Sequence, residues 1–369
     1  MKKLSKDYFI IPIFVPHLGC PHDCIFCNQR KITGLSTNIQ ANDVKNTIEE
    51  HLATFPKGPI NIEVAFYGGS FTGIDKTDQE NLLAIPHKYK EAGIIHGIRL
   101  STRPDYIDKD ILDLLKKYGV DTIELGVQSL DEEVLKESYR GHSVEDVYRA
   151  SKLIKEYDFN LGLQMMVGLV KDTREKVIYT AKEFVKLDPY CVRIYPTLVI
   201  KDTYLEKMYA DKKYTPLQVE EAVDIVTDIL MLFEYNDINV IRVGLQPTEN
   251  IQLGKDVVAG PFHPSIRQLV ESNIYKNLLE NYLKNFDRVL IEGETMILKA
   301  NEKSISNISG QKSFNINYLI EKFKFKKIKI YGEDLPIDIL KIQIGEREDI
   351  LDRRKAIERF LCEKGILEF

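Results

Sequence analysis

Three cysteines stand within eight residues, Cys20-Pro21-His22-Asp23-Cys24-Ile25-Phe26-Cys27, and no other stretch of the chain concentrates so much metal-binding chemistry. Thiolates are the preferred ligands of an iron–sulfur cluster, and CxxxCxxC spacing lets one loop wrap a compact cube. A cube of four irons held by three cysteines keeps one iron open to an external molecule. Two other readings use the same residues: a zinc ion with His17 or His22 as fourth ligand, or three cysteines with no ligand. Of the five cysteines, the remaining two are Cys191, read as a small buried hydrophobe, and Cys362, read as incidental. The odd count, the crowding and the lack of a cleavage pattern after Met1-Lys2-Lys3 indicate a reducing compartment, the cytoplasm. His142 and His263 read as loop or packing residues before proton carriers.

Such a loop needs a rigid frame. Strand-like runs over 8–15, 60–67, 95–100, 121–127, 159–167 and 191–195 alternate with helical spacing, as in Ile107, Ile111, Leu112, Leu114 and Leu115. Repeated strand–helix units predict an α/β fold, a partial (β/α)6 version of the TIM-type barrel, with reactive residues on loops at the carboxyl ends of its strands. The unusual polar residues fall at those ends. The cysteines follow strand one and Gly68-Gly69-Ser70 follows strand two. Arg103 lies in Ser101-Thr102-Arg103-Pro104-Asp105 after strand three, Gln128-Ser129 follows strand four, and Gln164 closes strand five. Arg103 can grip a carboxylate with two parallel bonds, while Pro104 and Asp105 suit a helix start. Met165 and Met166 read as core or pocket lining.

The expected division is a core barrel over 1–245, a linker and helix over 246–285, and a small α+β unit over 286–369 closed by a helix from 346 to 364. The 369 residues carry 51 Lys plus Arg against 56 Asp plus Glu, a formal charge of -5, which excludes a chain coated in nucleic-acid-binding charge and gives no expectation of DNA. No apolar run reaches membrane-spanning length.

The cysteine loop with Phe26 before its third cysteine, followed by the glycine pair after strand two, resembles the radical S-adenosylmethionine superfamily. The resemblance implies that Cys20, Cys24 and Cys27 hold a 4Fe–4S cluster whose open iron takes the methionyl amino and carboxylate groups of S-adenosylmethionine. One electron then cleaves the sulfonium to methionine and a 5′-deoxyadenosyl radical. It further implies that Gly68, Gly69 and Ser70 accept the amino group, and that Gln128, Ser129, Arg140 and Gln164, with Arg103, contact the cofactor's carboxylate and ribose. A flavodoxin or ferredoxin is the expected electron donor.

Longer stretches resemble the radical domain of the Elongator catalytic subunit, over about 8–245: Ile123-Glu124-Leu125-Gly126-Val127-Gln128-Ser129, Arg140-Gly141-His142-Ser143, the Ser101–Asp105 loop and Arg193-Ile194-Tyr195-Pro196. That enzyme modifies the wobble uridine of tRNA with acetyl-CoA as carbon source. Here the cysteine spacing is shorter, Gln164 replaces an expected histidine, and no acetyltransferase domain is expected in the remaining residues. The implied function is radical modification of a tRNA base. Two alternatives stand: the same chemistry on a small metabolite, as in coproporphyrinogen oxidase relatives, and an RNA-binding protein with a structural cluster. The C-terminal order of Gly310-Gln311-Lys312-Ser313, helix and strand is similar to the KH RNA-binding unit, with Gly310 and Lys312 as candidate RNA contacts and Ser313 replacing its second glycine. Between Asn301 and Tyr331 seven lysines face two glutamates, a local basic excess able to track phosphates.

Overall fold

A computed structural model describes residues 8–15, 24–28, 39–247, 250–287, 289 and 291–367. The chain divides into two compact units, Met1–Gln218 with Ile238–Phe262, and Val219–Asp237 with His263–Phe369. It therefore crosses between them three times, instead of once near 245.

The first unit is built on a parallel sheet of seven strands in the order β1-β2-β3-β4-β5-β6-β8. These are β1 (Tyr8–Val15), β2 (Asn61–Gly68), β3 (Gly97–Thr102), β4 (Thr122–Gln128), β5 (Asn160–Val167), β6 (Cys191–Pro196) and β8 (Asn239–Val243). Helices α1 (Ala41–Thr54), α2 (Lys76–Glu91), α3 (Lys109–Lys117), α4 (Glu132–Glu137), α5 (Val144–Glu156) and α6 (Arg174–Leu187) fill the crossovers. The six expected strands are present with ends shifted by one or two residues, and β8 adds a seventh. Asn239-Val240-Ile241-Arg242-Val243 is too short to announce itself in sequence; it is fixed by pairing with β6 from Cys191↔Asn239 to Ile194↔Val243. A short antiparallel pair, β7 (Val199–Ile200) and β9 (Val257–Ala259), and helix α7 (Tyr204–Ala210) complete the unit.

Strand side chains alternate between two faces. Val64, Phe66, Ile98, Leu100, Ile123, Leu125, Leu163 and Val192 are fully or almost fully buried on the parity that meets the helices. The opposite parity carries Glu63, Arg99, Glu124, Gln164 and Arg193. On this face Arg99 of β3 bonds the Tyr8 hydroxyl of β1 at 2.8 Å, and Arg193 of β6 bonds the Tyr67 hydroxyl of β2. Side chains of non-neighbouring strands meet only across a concave surface, so the sheet is curled as a partial barrel. The loops at its carboxyl end are pinned by helix caps: Asp108, Asp131, Ser143 and Thr173 each accept a backbone N–H of the helix that follows.

The second unit comprises α8 (Val219–Tyr235), α9 (Ile266–Lys284), α10 (Glu302–Ser309), α11 (Phe314–Phe323), α12 (Arg353–Glu363) and a sheet ordered β11-β10-β12-β13. Its strands are β10 (Thr295–Ala300), β11 (Lys327–Gly332), β12 (Ile339–Ile344) and β13 (Arg347–Asp352). β10 and β11 run parallel, joined by α10 and α11, while β12 and β13 are antiparallel. The closing helix starts at Arg353, not at 346, because 347–352 pairs with β12 as a strand and Asp352 caps the helix on the Lys355 N–H. Gly310, at φ +75, ends α10, and Lys312 and Ser313 follow in the left-handed region at φ 51 and 59.

Candidate active site

Cys24 and Cys27, neither in a disulfide among the described residues, lie at the carboxyl end of the curled sheet; Cys20, with His17 and His22, lies outside the described residues. The loop is anchored by the residue between the thiols. Ile25 is 1% exposed, in an apolar cluster with Val170, Val199, Leu205 and Tyr214, and Phe26 packs beside it. Its N–H donates to Ser138 O at 3.2 Å, and its carbonyl accepts from the Leu205 N–H at 2.7 Å. The Cys27 N–H closes the turn on Cys24 O at 2.9 Å. Both thiols are thus held by backbone bonds to the loop after α4 and to the start of α7.

Arg140 comes from that same loop after α4. Its Nη1 donates to Cys24 Sγ at 3.1 Å and its Nη2 to the carbonyl of Gly126 on β4, while its buried Nε has no partner among the described residues. Two residues along β4, Gln128 is buried at φ +73, where the register against β5 shifts by one residue. A bulky side chain in the left-handed region is strained, and such strain concentrates at working sites. The Gln128 Oε1 is buried and accepts no hydrogen bond among the described residues. An orphaned acceptor and an orphaned guanidinium N–H in the site that holds Cys24 and Cys27 fit a ligand that brings hydroxyl donors and a carboxylate.

Gly68 turns the chain out of β2 at φ +106, and a Cβ there would lie 2.6 Å from the Val15 carbonyl oxygen. The Gly69 N–H donates to that same oxygen at 3.1 Å. Only glycine permits this approach. Ser70 is buried at the start of a short turn, Phe71–Gly73, without a capping bond from its side chain.

Other sequence-predicted residues have partners within the protein. Arg103 is buried and places its fork on Asp105, with both bonds at 2.9 Å. Ser129 Oγ accepts the Asp131 N–H at 3.1 Å. Gln164 stands deeper on the concave face, donating to Ser101 Oγ at 3.1 Å and to Glu124 Oε2 at 3.2 Å. His142 is buried beside Arg140. Burial, together with the charges of Arg140 and Arg103, lowers its pKa to about 4, so the ring is neutral at physiological pH.

Sequence reasoning missed the floor of the site as a unit. Arg99 contacts Glu63 on one side and Glu124 on the other, the latter at 3.0 Å, and Arg193 Nε meets Glu124 Oε2 at 2.5 Å. Glu124 is 1% exposed; burial opposes its charge, but Arg193 and Arg99 hold its carboxyl below the usual range. Burial likewise disfavours charge on Arg99, yet Glu124 and Glu63 raise its pKa above the ordinary value. Two carboxylates and two guanidinium groups cancel, making a dry, neutral base under the loops. Cys191 joins this layer: burial and Glu124 push its thiol up to about 12, so it is inert, as expected of a buried cysteine.

Residues 14–184 match the radical SAM superfamily and residues 189–276 its radical SAM C-terminal domain. An uncharacterized protein of Methanocaldococcus jannaschii, MJ0486, is 31% identical over 242 residues, 62% of this chain and 73% of that protein. A tRNA uridine(34) acetyltransferase of Dehalococcoides mccartyi is 26% identical over 63% of this chain and 58% of its own length. Elongator complex protein 3 of Saccharomyces cerevisiae is 30% identical over 46% of this chain and 34% of its own. The chain thus spans little more than half, or less, of the tRNA-directed relatives. The structure of Methanocaldococcus infernus Elp3, lacking its N-terminus, superposes with a TM-score of 0.56 at 23% identity, covering 75% of this chain and 64% of that one, which establishes the shared fold. The matched stretch runs from β1 into α9 and takes in every loop described above. The chain belongs to the radical S-adenosylmethionine superfamily, as an Elongator-like enzyme whose cofactors are a 4Fe–4S cluster and S-adenosylmethionine.

Proposed function

We propose that this enzyme uses the 5′-deoxyadenosyl radical to modify a base of tRNA. The observation that supports the reading is the similarity of this chain to proteins named as tRNA uridine(34) acetyltransferases, 26% identical over 268 residues in one and 36% over 134 residues in another. In this superfamily, one electron passed through the cluster cleaves the bound sulfonium.

The chain's own residues do the positioning. Cys20, Cys24 and Cys27 hold the cluster. The carbonyls around Gly68, Gly69 and Ser70 take the cofactor's amino group. The unpartnered Arg140 N–H suits its carboxylate, and the Gln128 acceptor suits a ribose hydroxyl. Arg103, Ser129 and Gln164 act from behind, through Asp105, Asp131 and Glu124. Gly310 and Lys312 offer a backbone clamp for RNA, and an acidic flavodoxin or ferredoxin supplies the electron.

The test is anaerobic mass spectrometry of total tRNA nucleosides from cells with and without the gene, paired with an assay for 5′-deoxyadenosine on the reconstituted enzyme. A nucleoside missing from the deletion strain supports the reading. Identical profiles with 5′-deoxyadenosine formation would assign the chemistry to a small metabolite, and no cleavage at all would leave an RNA-binding protein with a structural cluster.

A further inference from the structure

The second unit's sheet has one covered and one open face. Met296, Leu298, Ala300, Ile328, Leu340, Ile342, Ile344 and Leu351 point into a core closed by Tyr275, Leu279 and Leu283 of α9, Ile308 of α10, and Leu319 and Phe323 of α11. The opposite parity of the same four strands holds no buried residue. Its register places Tyr331, Lys299, Lys341 and Ile350 in one row across β11-β10-β12-β13, with Lys329 and Lys327 on the rows beside it. Tyr331 is 48% exposed and Ile350 is 66% exposed.

One feature of this face works against the stability of an isolated sheet. Lys299 and Lys341 stand directly opposite each other in an antiparallel pair, where like charges repel. Glu333 pairs with Lys341 and also lies within electrostatic reach of Lys299, whereas Lys327 and Lys329 have no carboxylate partner among the described residues. The acidic residues of the face, Glu348 and Asp352, are confined to β13 at the far edge, and the Asp352 carboxylate is occupied as a helix cap. The result is a basic track along β11 and β10 with one accessible aromatic ring at its end. A polyanion relieves the lysine repulsion, and a polyanion with flat stacking groups also uses the tyrosine. A four-stranded sheet with an exposed aromatic ring is a surface on which single-stranded bases stack.

We propose that the open face of β11-β10-β12-β13 is a binding site for single-stranded RNA, with phosphates on Lys299, Lys327 and Lys329 and a base stacked on Tyr331. The site is separate from the Gly310–Ser313 turn. It rests on the RNA-directed reading above only for the choice of RNA over DNA.

The test measures fluorescence anisotropy of a labelled single-stranded RNA of about 12 nucleotides, within the range of known single-strand binding sites, with the full-length protein across a salt series. Neutralising two phosphate contacts in Lys299→Gln/Lys329→Gln makes the plot of log K against log salt shallower by about 1.4. Tyr331→Ala weakens binding about tenfold with an unchanged salt slope. Lys303→Gln, on α10, changes neither. Wild-type behaviour in both face variants, or binding lost only in Lys312→Gln, would overturn the proposal. So would binding to phosphatidylserine vesicles with none to RNA, which would make the face a membrane contact. Unchanged tRNA nucleosides in the deletion strain, with RNA binding through this face intact, would sink the base-modification reading and leave this one standing.

Discussion

Gln128 concentrates the cost of the site in one residue. Its φ of +73 is held against the ordinary preference of a long side chain, and its acceptor is buried without a donor among the described residues. Gln128→Asn tolerates the left-handed region better but falls short in reach. The variant is expected to melt at an equal or higher temperature while binding S-adenosylmethionine about tenfold more weakly, by calorimetry on anaerobic protein. A parallel loss of both would show that Gln128 is only a packing residue. His142 gives a pH signature. Its folded value of about 4 lies below its ordinary 6.5, so the unfolded chain takes up the proton first as pH falls. Its contribution is complete above 6.5 and is lost progressively down to about 4. Asp172, raised by burial to about 6, titrates with the opposite sign over much of this window, so the useful quantity is a difference between proteins. Between pH 7 and 4 the wild type should lose on the order of 3 kcal/mol more than His142→Gln. Parallel denaturation curves would remove His142 from the account.

At the scale of elements, six of the seven strands of the curled sheet and the loops they feed were legible because each is a largely apolar run ending at Gly, Pro or a polar pair; β8 was not. What the sequence displayed without being read was the charge layer. Glu63 in Asn-Ile-Glu-Val, Arg99 in Gly-Ile-Arg-Leu, Glu124 in Thr-Ile-Glu-Leu and Arg193 in Cys-Val-Arg-Ile each place one charge at an inward position of an apolar strand. Taken singly each looks like an exposed polar residue; only the curl of the sheet brings them within bonding distance. The β12–β13 hairpin shows a different failure. Its alternation, Ile339-Leu340-Lys341-Ile342-Gln343-Ile344, is clean, but the charged run that follows mimics a helix until pairing is known. Partners for Arg103 and Ser129 were unreadable for a local reason, since Asp105 and Asp131 satisfy them only once the turns form. The cysteine loop depends on an apolar anchor as much as on its thiols. Ile25→Ala empties its place among Val170, Val199, Leu205 and Tyr214, at a local cost of about 2–4 kcal/mol. Reconstituted protein should then hold less iron and release it faster to a chelator, with the global fold kept by circular dichroism. Iron retention equal to wild type would show that the backbone bonds suffice.

At the scale of the whole molecule, the threefold crossing makes the units hard to separate. α8 belongs to the second unit although β8, which follows it, returns to pair with β6. A chain ending at 262 would keep α8 and remove α9, whose Asn273 side chain reaches Thr227 at 3.0 Å. The apolar residues of α8, among them Val226, Ile229, Leu230, Met231 and Phe233, would then be uncovered. Such a fragment is expected to aggregate, read by light scattering, whereas a soluble monomer would mean that α8 finds its cover in the first unit. The Val15 carbonyl has a consequence of another kind. It marks where the strand feeding the metal loop ends, and it is also the atom that Gly68 and Gly69 approach and bond. One oxygen therefore ties the end of the strand that precedes the cysteine motif to the glycine turn after β2. A side chain at position 68 would push on the end of β1 as well as on its own turn, so Gly68→Ala is expected to disturb both segments together.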